Sequence, residues 1–502
     1  MELLDNLILG FSVAFTLTNL SYCFAGVLLG TLVGVLPGLG PTATIAMLLP
    51  ATFVLPPTAA LIMLAGIYYG SQYGGSTTAI LINLPGESAS VVTAIDGYQM
   101  ARQGRAGTAL AAAAIGSFFA GTVATFLIAV FGPVLARVAL QFGSWEYFSL
   151  MLLGLVASVA LAHGSLLKAL GMIALGLLLG MVGQDVETGT ARFTLGFPEL
   201  SENLDFVAVS MGLFGIAEII RNLENERGRE VMVSRVTGLM PTRADLRSMV
   251  APILRGTGLG SILGILPGGG SILSSFAAYS LEKKISKTPE RFGRGAIEGV
   301  AGPESANNAG AQTSFIPLLT LGIPPTPVMA LMVGAMIIKG IQPGPKVMTD
   351  QPDLFWGLIA SMWIGNLFLI VLNLPLIGIW VRLLKVPYHL LYPAILTFCC
   401  IGVYSVTNNV FNVYVAVAFG LIGYVLYKLE CEPAPLLLGF ILGPLMEEHL
   451  RRAMLLGRGD PMRFVERPIS AGLLVLTIIV LLLMISPAIR RKREEAFQEE
   501  AG

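Results

Sequence analysis

An all-α protein that crosses a lipid bilayer many times is the fold class this sequence predicts, and three observations predict it. The 502 residues are 55% hydrophobic and only 12% charged, about half the charged share of soluble domains, and mean hydropathy is +0.77. The charges gather at 221–255, 282–294, 447–467 and 490–500, with long apolar runs between them, as in spans joined by polar loops. Several of those runs are interrupted by Pro and Gly. A soluble fold of this length could not hide so much apolar surface in one core. Lipid is the solvent that fits.

The remaining composition narrows the function classes. Lys+Arg and Asp+Glu are equal at 31 each, so net charge gives no reason to expect a nucleic-acid partner. Cys23, Cys399, Cys400 and Cys431 lie in or beside apolar runs without metal-ligand spacing. They read as small packing residues. The start, Met1-Glu2-Leu3-Leu4-Asp5, lacks the basic stretch of a cleavable signal.

Taken in order, apolar segments fall at 24–36, 41–55, 59–82, 108–132, 146–163, 166–183, 206–220, 254–265, 271–281, 311–341, 354–380, 391–407, 409–427, 434–446 and 469–486. At about 20 residues per crossing, these make about 11–13 helices. Segments 24–36 and 41–55 are parted by Pro37-Gly38-Leu39-Gly40-Pro41, and 254–265 and 271–281 by Pro267-Gly268-Gly269-Gly270. Irregular backbone at membrane depth survives only where protein or a watery cavity satisfies it. Each break is therefore expected to be a re-entrant hairpin lining a site.

The two breaks match. Shifted by 230 residues, Gly26, Gly30, Gly34, Pro37, Gly38 and Gly40 fall on Gly256, Gly260, Gly264, Pro267, Gly268 and Gly270, while Leu29 and Leu36 fall on Leu259 and Leu266. Fainter echoes pair Gly75-Ser76-Thr77-Thr78 with Gly310-Ala311-Gln312-Thr313, and Pro85-Gly86-Glu87-Ser88 with Pro324-Pro325-Thr326-Pro327. The expected organisation is an N-terminal segment 1–20, a first membrane repeat 21–225, a cytoplasmic linker 226–250, a second repeat 251–455, and a C-terminal helix with a basic tail at 456–502. The basic loop 221–255 and Arg490-Arg491-Lys492-Arg493 argue for a cytoplasmic face, and an odd number of crossings per half would invert the repeats. The Arg-rich loop 447–467 then falls outside, which counts against that orientation. Duplicated halves with interrupted spans are the signature of secondary transporters.

The breaks also name candidate residues. Glycine lets backbone N–H groups approach a carboxylate, and a helix starting after the break adds its positive end. Gly38, Gly40 and Thr42 at the first break, and Gly268, Gly270 and Ser271 at the second, are the expected substrate cradles. Two polar runs inside apolar surroundings, 71–88 and 304–314, add Ser76, Thr77, Asn83 and Gly86, and Asn307, Asn308, Gln312 and Thr313. Pro37, Thr78, Pro267 and Thr326 mark where carbonyls and hydroxyls would hold a coupling cation such as Na+, with no other cofactor expected. Plainer roles compete: hydroxyls that bond back to their own helix, and polar runs that are merely loops. His163, Lys168, Glu218, Asn366, Asn373, Asn408 and Asn409 read as interhelical bonds or snorkelling groups.

Other classes fit less well. An ATPase needs a Gly-x-x-x-x-Gly-Lys-Ser/Thr loop and a zinc protease needs His-Glu-x-x-His; neither occurs. An intramembrane serine protease would use Ser271 with one of three His, none of which recurs beside both breaks. A passive channel is the remaining competitor.

Longer motifs carry a resemblance. Residues 34–41 (GVLPGLGP), 69–78 (YGSQYGGSTT), 83–87 (NLPGE), 96–102 (DGYQMAR), 264–270 (GILPGGG), 303–308 (PESANN) and 322–325 (GIPP) resemble the large membrane (permease) subunit of the tripartite tricarboxylate transporters. The resemblance covers nearly the whole chain. It implies a multi-pass permease of the bacterial inner membrane, paired with a small four-helix membrane subunit and with a periplasmic solute-binding protein that delivers substrate. It implies uptake of carboxylates, citrate and other tri- or dicarboxylates among them, driven by Na+ or H+ and carried by an elevator-like movement. Neither cradle contains Arg or Lys to pair with such an anion.

Overall fold

The computed structural model describes residues 2–36, 38–161, 165–185, 188–224, 236, 238–266, 270–384 and 388–485. Three expected site residues, Pro37, Pro267 and Gly268, lie outside the described residues, as does His163.

Among the described residues the fold is all-α but for one short hairpin. The first stretch holds α1 (Glu2–Ala14), α2 (Leu17–Gly34), α3 (Pro41–Leu48), α4 (Pro57–Ile82), α5 (Val91–Met100), α6 (Ala106–Ala139), α7 (Ser144–Leu161) and α8 (Leu166–Gly180). Strands β1 (Gly183–Gln184) and β2 (Ala191–Arg192) pair antiparallel, ahead of α9 (Phe206–Ser210) and α10 (Ala217–Glu224), which a π-helical turn joins. The second stretch runs α11 (Arg243–Leu263), α12 (Gly270–Ile285), α13 (Glu298–Thr313), α14 (Phe315–Leu321), α15 (Pro327–Ile338), α16 (Lys346–Asp350) and α17 (Pro352–Asn373). It ends with α18 (Ile377–Leu383), α19 (Tyr388–Thr407), α20 (Val410–Lys428), α21 (Pro433–Leu456), α22 (Arg463–Glu466) and α23 (Pro468–Ile485). Among the described residues five helices are long and apolar enough to cross a bilayer. This is a multi-pass membrane protein.

Glycine spacing sets the packing of the site. Along α2, Gly26, Gly30 and Gly34 recur every fourth residue on the face against α4. A Cβ at these positions would lie 2.2, 2.3 and 2.4 Å from the carbonyl oxygens of Met63, Ile67 and Ser71. The same seam joins α11 to α13. A Cβ at Gly256, Gly260 or Gly264 would lie 2.2, 2.3 or 2.4 Å from the carbonyls of Gly302, Ala306 and Gly310. Backbones this close gain dispersion contact that no larger side chain permits.

The seams correct one reading of the sequence. Ser71, and not Gly75, occupies the place of Gly310, because the helices that pack on the two glycine seams, α4 and α13, are offset by 239 residues, not 235. The faint echo between 75–78 and 310–313 was thus one helical turn out of register. The apolar run 311–341 is also not one span: α14 ends at Gly322 in left-handed conformation (φ 73°) and α15 starts anew at Pro327. Composition alone cannot reveal that turn.

Outside the seams, the later helices cross between the stretches. α8 packs on α21, where a Cβ at Gly176 would meet the Leu436 carbonyl at 2.1 Å, and α20 packs on α9–α10, where a Cβ at Gly212 would meet the Ala416 carbonyl at 2.5 Å. α1 lies on α17, and α7 on α23 with Ser149 and Ser470 hydroxyls 2.9 Å apart. The Arg-rich stretch 447–467 is partly neutralised by carboxylates inside and outside it: Arg451 meets Asp185 and Glu447 at 2.7 and 2.6 Å, and Arg467 meets the buried Glu146 at 2.6 Å. Cys23 and Cys399 are buried, unbridged packing residues.

Candidate functional site

Two matching junctions build the site. Helix α4 ends at Asn83, an exposed residue in left-handed conformation (φ 56°), and α14 ends the same way at Gly322. Each end leads through a proline loop to a capping side chain. Glu87 accepts from the Ser90 N–H in a capping box, and Thr326 accepts from the Met329 N–H at 3.2 Å. The break of the same stretch comes to rest on that loop. A Cβ at Gly40 would lie 3.4 Å from the Gly86 carbonyl and 3.8 Å from Glu87 Cβ, and one at Gly270 would lie 2.6 Å from Thr326 Cγ2.

Gly38 and Gly270 have φ of +85° and +45°, a region that side chains with a Cβ disfavour. A Cβ on Gly38 would also strike the Asn222 carboxamide oxygen at 2.5 Å. Thr42 and Ser271 are half-buried in the first turns of α3 and α12. Ser271 is within interaction range of the Tyr68 hydroxyl, which also neighbours Gln72 and Ser314. Gly86 packs between α2 and α4, where a Cβ would meet Gly75 Cα at 2.5 Å and the Gly34 carbonyl at 2.8 Å.

The polar runs are mostly helix: residues 71–78 and 304–313 are helical and buried, while 83–87 form a loop. Helix α13 turns its polar side chains onto the first stretch. The Ser76 hydroxyl is 2.8 Å from both carboxylate oxygens of Glu304, and the Thr93 hydroxyl donates to one of them. Asn307 donates its amide to Glu87 at 2.8 Å, Asn308 donates to the Ser117 hydroxyl at 2.6 Å, and Thr125 donates to the Gln312 carbonyl at 2.8 Å. Glu304, Asn307, Asn308 and Gln312 share the face that i, i+3 and i+4 spacing creates.

Other hydroxyls serve their own helices. Thr77, Thr78 and Thr313 donate to the carbonyls of Tyr73, Gly75 and Ala309 at 3.1, 2.8 and 2.9 Å, and Ser274 donates to Gly270 at 2.6 Å. Such back-bonding leaves an oxygen lone pair free while spending the proton.

Several buried polar atoms lack a partner among the described residues: both side-chain polar atoms of Gln72, the Asn307 and Asn308 carbonyl oxygens and the Gln312 amide nitrogen. Leaving such groups unpaired costs about 1–3 kcal/mol each, so the arrangement suits a site that a polar ligand completes. Among the described residues neither Glu87 nor Glu304 pairs with a basic side chain. Arg255, on the adjoining hairpin, is committed to Glu282 at 2.7 and 2.6 Å.

The residues that sequence reasoning passed over are Glu87, Glu304, Thr93, Ser117 and Thr125. A signal existed for the two acids, since an ionisable group amid apolar sequence marks function by default. They were absorbed into the polar runs around them.

Comparison with known proteins agrees with this architecture. The family described as the tripartite tricarboxylate transporter TctA family matches residues 20–438. An uncharacterized 52.8 kDa protein from the TAR-I ttuC′ 3′ region of Agrobacterium vitis is 64% identical over 500 residues, covering 100% of both chains. A second uncharacterized protein of that organism, from the TAR-II ttuC′ 3′ region, is 64% identical over 241 residues, spanning 48% of this chain and 100% of its own length. No solved structure matches the chain. This chain belongs to the tripartite tricarboxylate transporter TctA family, and is a multi-pass transporter subunit of that system rather than an enzyme.

Proposed function

We propose that this permease imports a small carboxylate across the bacterial inner membrane, binding it between the two junctions and using a Na+ or H+ gradient. A periplasmic solute-binding protein delivers the substrate, and a small four-helix membrane subunit completes the assembly. The two halves act as inverted repeats, so that the same cradle serves both faces. One observation carries the reading: each broken hairpin rests on a proline loop that follows a left-handed helix end, Gly40 on Gly86–Glu87 and Gly270 on Thr326. Backbone N–H groups in the first turns of α3 and α12, together with Thr42, Ser271 and the unpartnered Gln312 amide nitrogen of α13, supply donors for carboxylate oxygens without a fixed cation.

Reconstituted uptake tests it. The permease, its small subunit and its binding protein are placed in proteoliposomes and offered citrate and other di- and tricarboxylates, with and without Na+ and pH gradients. Gly38→Val and Gly270→Val together are expected to bring uptake to background while the protein still elutes as a monodisperse species. Full uptake by the double variant would sink the proposal.

A further inference from the structure

The contact between the two stretches of the chain contains an acid that the substrate reading does not use. Glu304 is 1% exposed, and its carboxylate is held from the opposite stretch by Ser76 of α4 and Thr93 of α5. Ser117 of α6 approaches the Glu304 carbonyl at 3.5 Å. We propose that Glu304 is a proton-carrying site at this contact, and that the proton is the ion coupled to transport.

The hydrogen count carries the argument. The Ser76 and Thr93 hydroxyls bring two protons to three acceptors: the Gln72 carbonyl, 3.2 Å from Ser76, and both Glu304 oxygens. An ionised Glu304 adds no donor. A protonated one does: its O–H would donate to the Ser76 oxygen, leaving Ser76 to donate to the Gln72 carbonyl. The buried Tyr73 hydroxyl lies near Glu304 and within hydrogen-bonding range of Ser117, which places a second exchangeable proton beside the acid. Hydroxyls already sit at hydrogen-bond distance around the carboxylate, and a proton enters without moving them.

The other charged groups around α13 have partners of their own. From the 84–88 loop comes Glu87, bound by Asn307. From α5 comes Asp96, which accepts from the Gly295 and Ala296 N–H groups at 2.8 Å each and from the Tyr279 hydroxyl of α12 at 3.0 Å. From α11 and α12 comes the mutually paired Arg255–Glu282, whose glutamate packs beside Gly302. Among the described residues none brings positive charge to Glu304. Loading forms one O–H bond on a Glu304 oxygen with a proton taken from water on one side. Unloading breaks that bond and returns the proton to water on the other.

The inference rests on the transport reading for its purpose but not for its test. Infrared spectra of the purified full chain in lipid nanodiscs, titrated in light and heavy water, report protonated carboxyl groups directly. Wild type is expected to show a buried carboxylic-acid carbonyl band at neutral pH that Glu304→Gln removes, Glu87→Gln keeps and Ser76→Ala shifts. A wild type lacking the band, a band indifferent to both Glu304→Gln and Ser76→Ala, or one abolished when sodium chloride replaces potassium chloride would overturn it. Should Glu304→Gln fail to fold, the Ser76→Ala shift decides alone. A band without any carboxylate uptake would refute the transport reading and leave the proton site standing.

Discussion

Asp96 shows how much a single side chain holds in place. It is completely buried, and its carboxylate takes two backbone N–H groups from the turn that opens α13, plus the Tyr279 hydroxyl. Gly299 packs against it so closely that a Cβ would lie 2.2 Å from one carboxylate oxygen. Truncation would strand buried donors, at about 1–3 kcal/mol. Asp96→Ala is expected to lower the thermal unfolding midpoint of the detergent-purified protein, and Asp96→Asn to lower it less. An unchanged midpoint in Asp96→Ala would remove its role as the anchor of α13. At the membrane edge Asp245 shows another balance. Partial burial opposes its ionisation, but hydrogen bonds from Thr242 and the Arg105 guanidinium outweigh this and hold it below the usual carboxylate range. The Thr242 hydroxyl and Asp245 close a capping box at the start of α11. Thr242→Ala is expected to cost about 1 kcal/mol, read as a lower unfolding midpoint.

At the scale of helices, α11 offers a controlled comparison two residues apart. A Cβ on Gly260 would enter the Ala306 carbonyl at 2.3 Å, whereas one on Gly258 meets nothing within 4 Å. Gly260→Ala is therefore expected to destabilise by about 1–3 kcal/mol through overpacking. Gly258→Ala is expected to stabilise by up to about 1 kcal/mol through helix propensity. Equal effects on the unfolding midpoint would show that the seam is not what fixes the hairpin. This also explains what could be read in advance. Four-residue glycine spacing and a Pro-Gly break are local, so α2, α11 and both junctions were visible in the sequence. Asn83 and Gly322 share a left-handed backbone and no chemistry, so their equivalence was not. Thr93, Ser117 and Thr125 are single hydroxyls among small apolar residues, and nothing in their spacing separates them from helix-packing groups. Only the arrival of α13 against them shows what they hold.

In the whole molecule the two stretches are interleaved rather than stacked. α8 of the first packs on α21 of the second, α20 of the second packs on α9–α10 of the first, and α13 bonds to α4, α5 and α6. Met240, between the stretches, is 88% exposed. Separate chains ending and starting there are expected to assemble when co-expressed and to copurify in near-equal amounts. Independent elution would mean that the interleaving is too weak to hold the fold. The glycine seams bear on the molecule's history as well. Where backbone presses on backbone, a position has almost no permitted alternatives, while its neighbours facing lipid have many. Exhaustive substitution of this protein should therefore yield a striped map along α2, α4, α11 and α13, dark at every fourth residue and pale between. Gene drift would be free to write only in the pale bands.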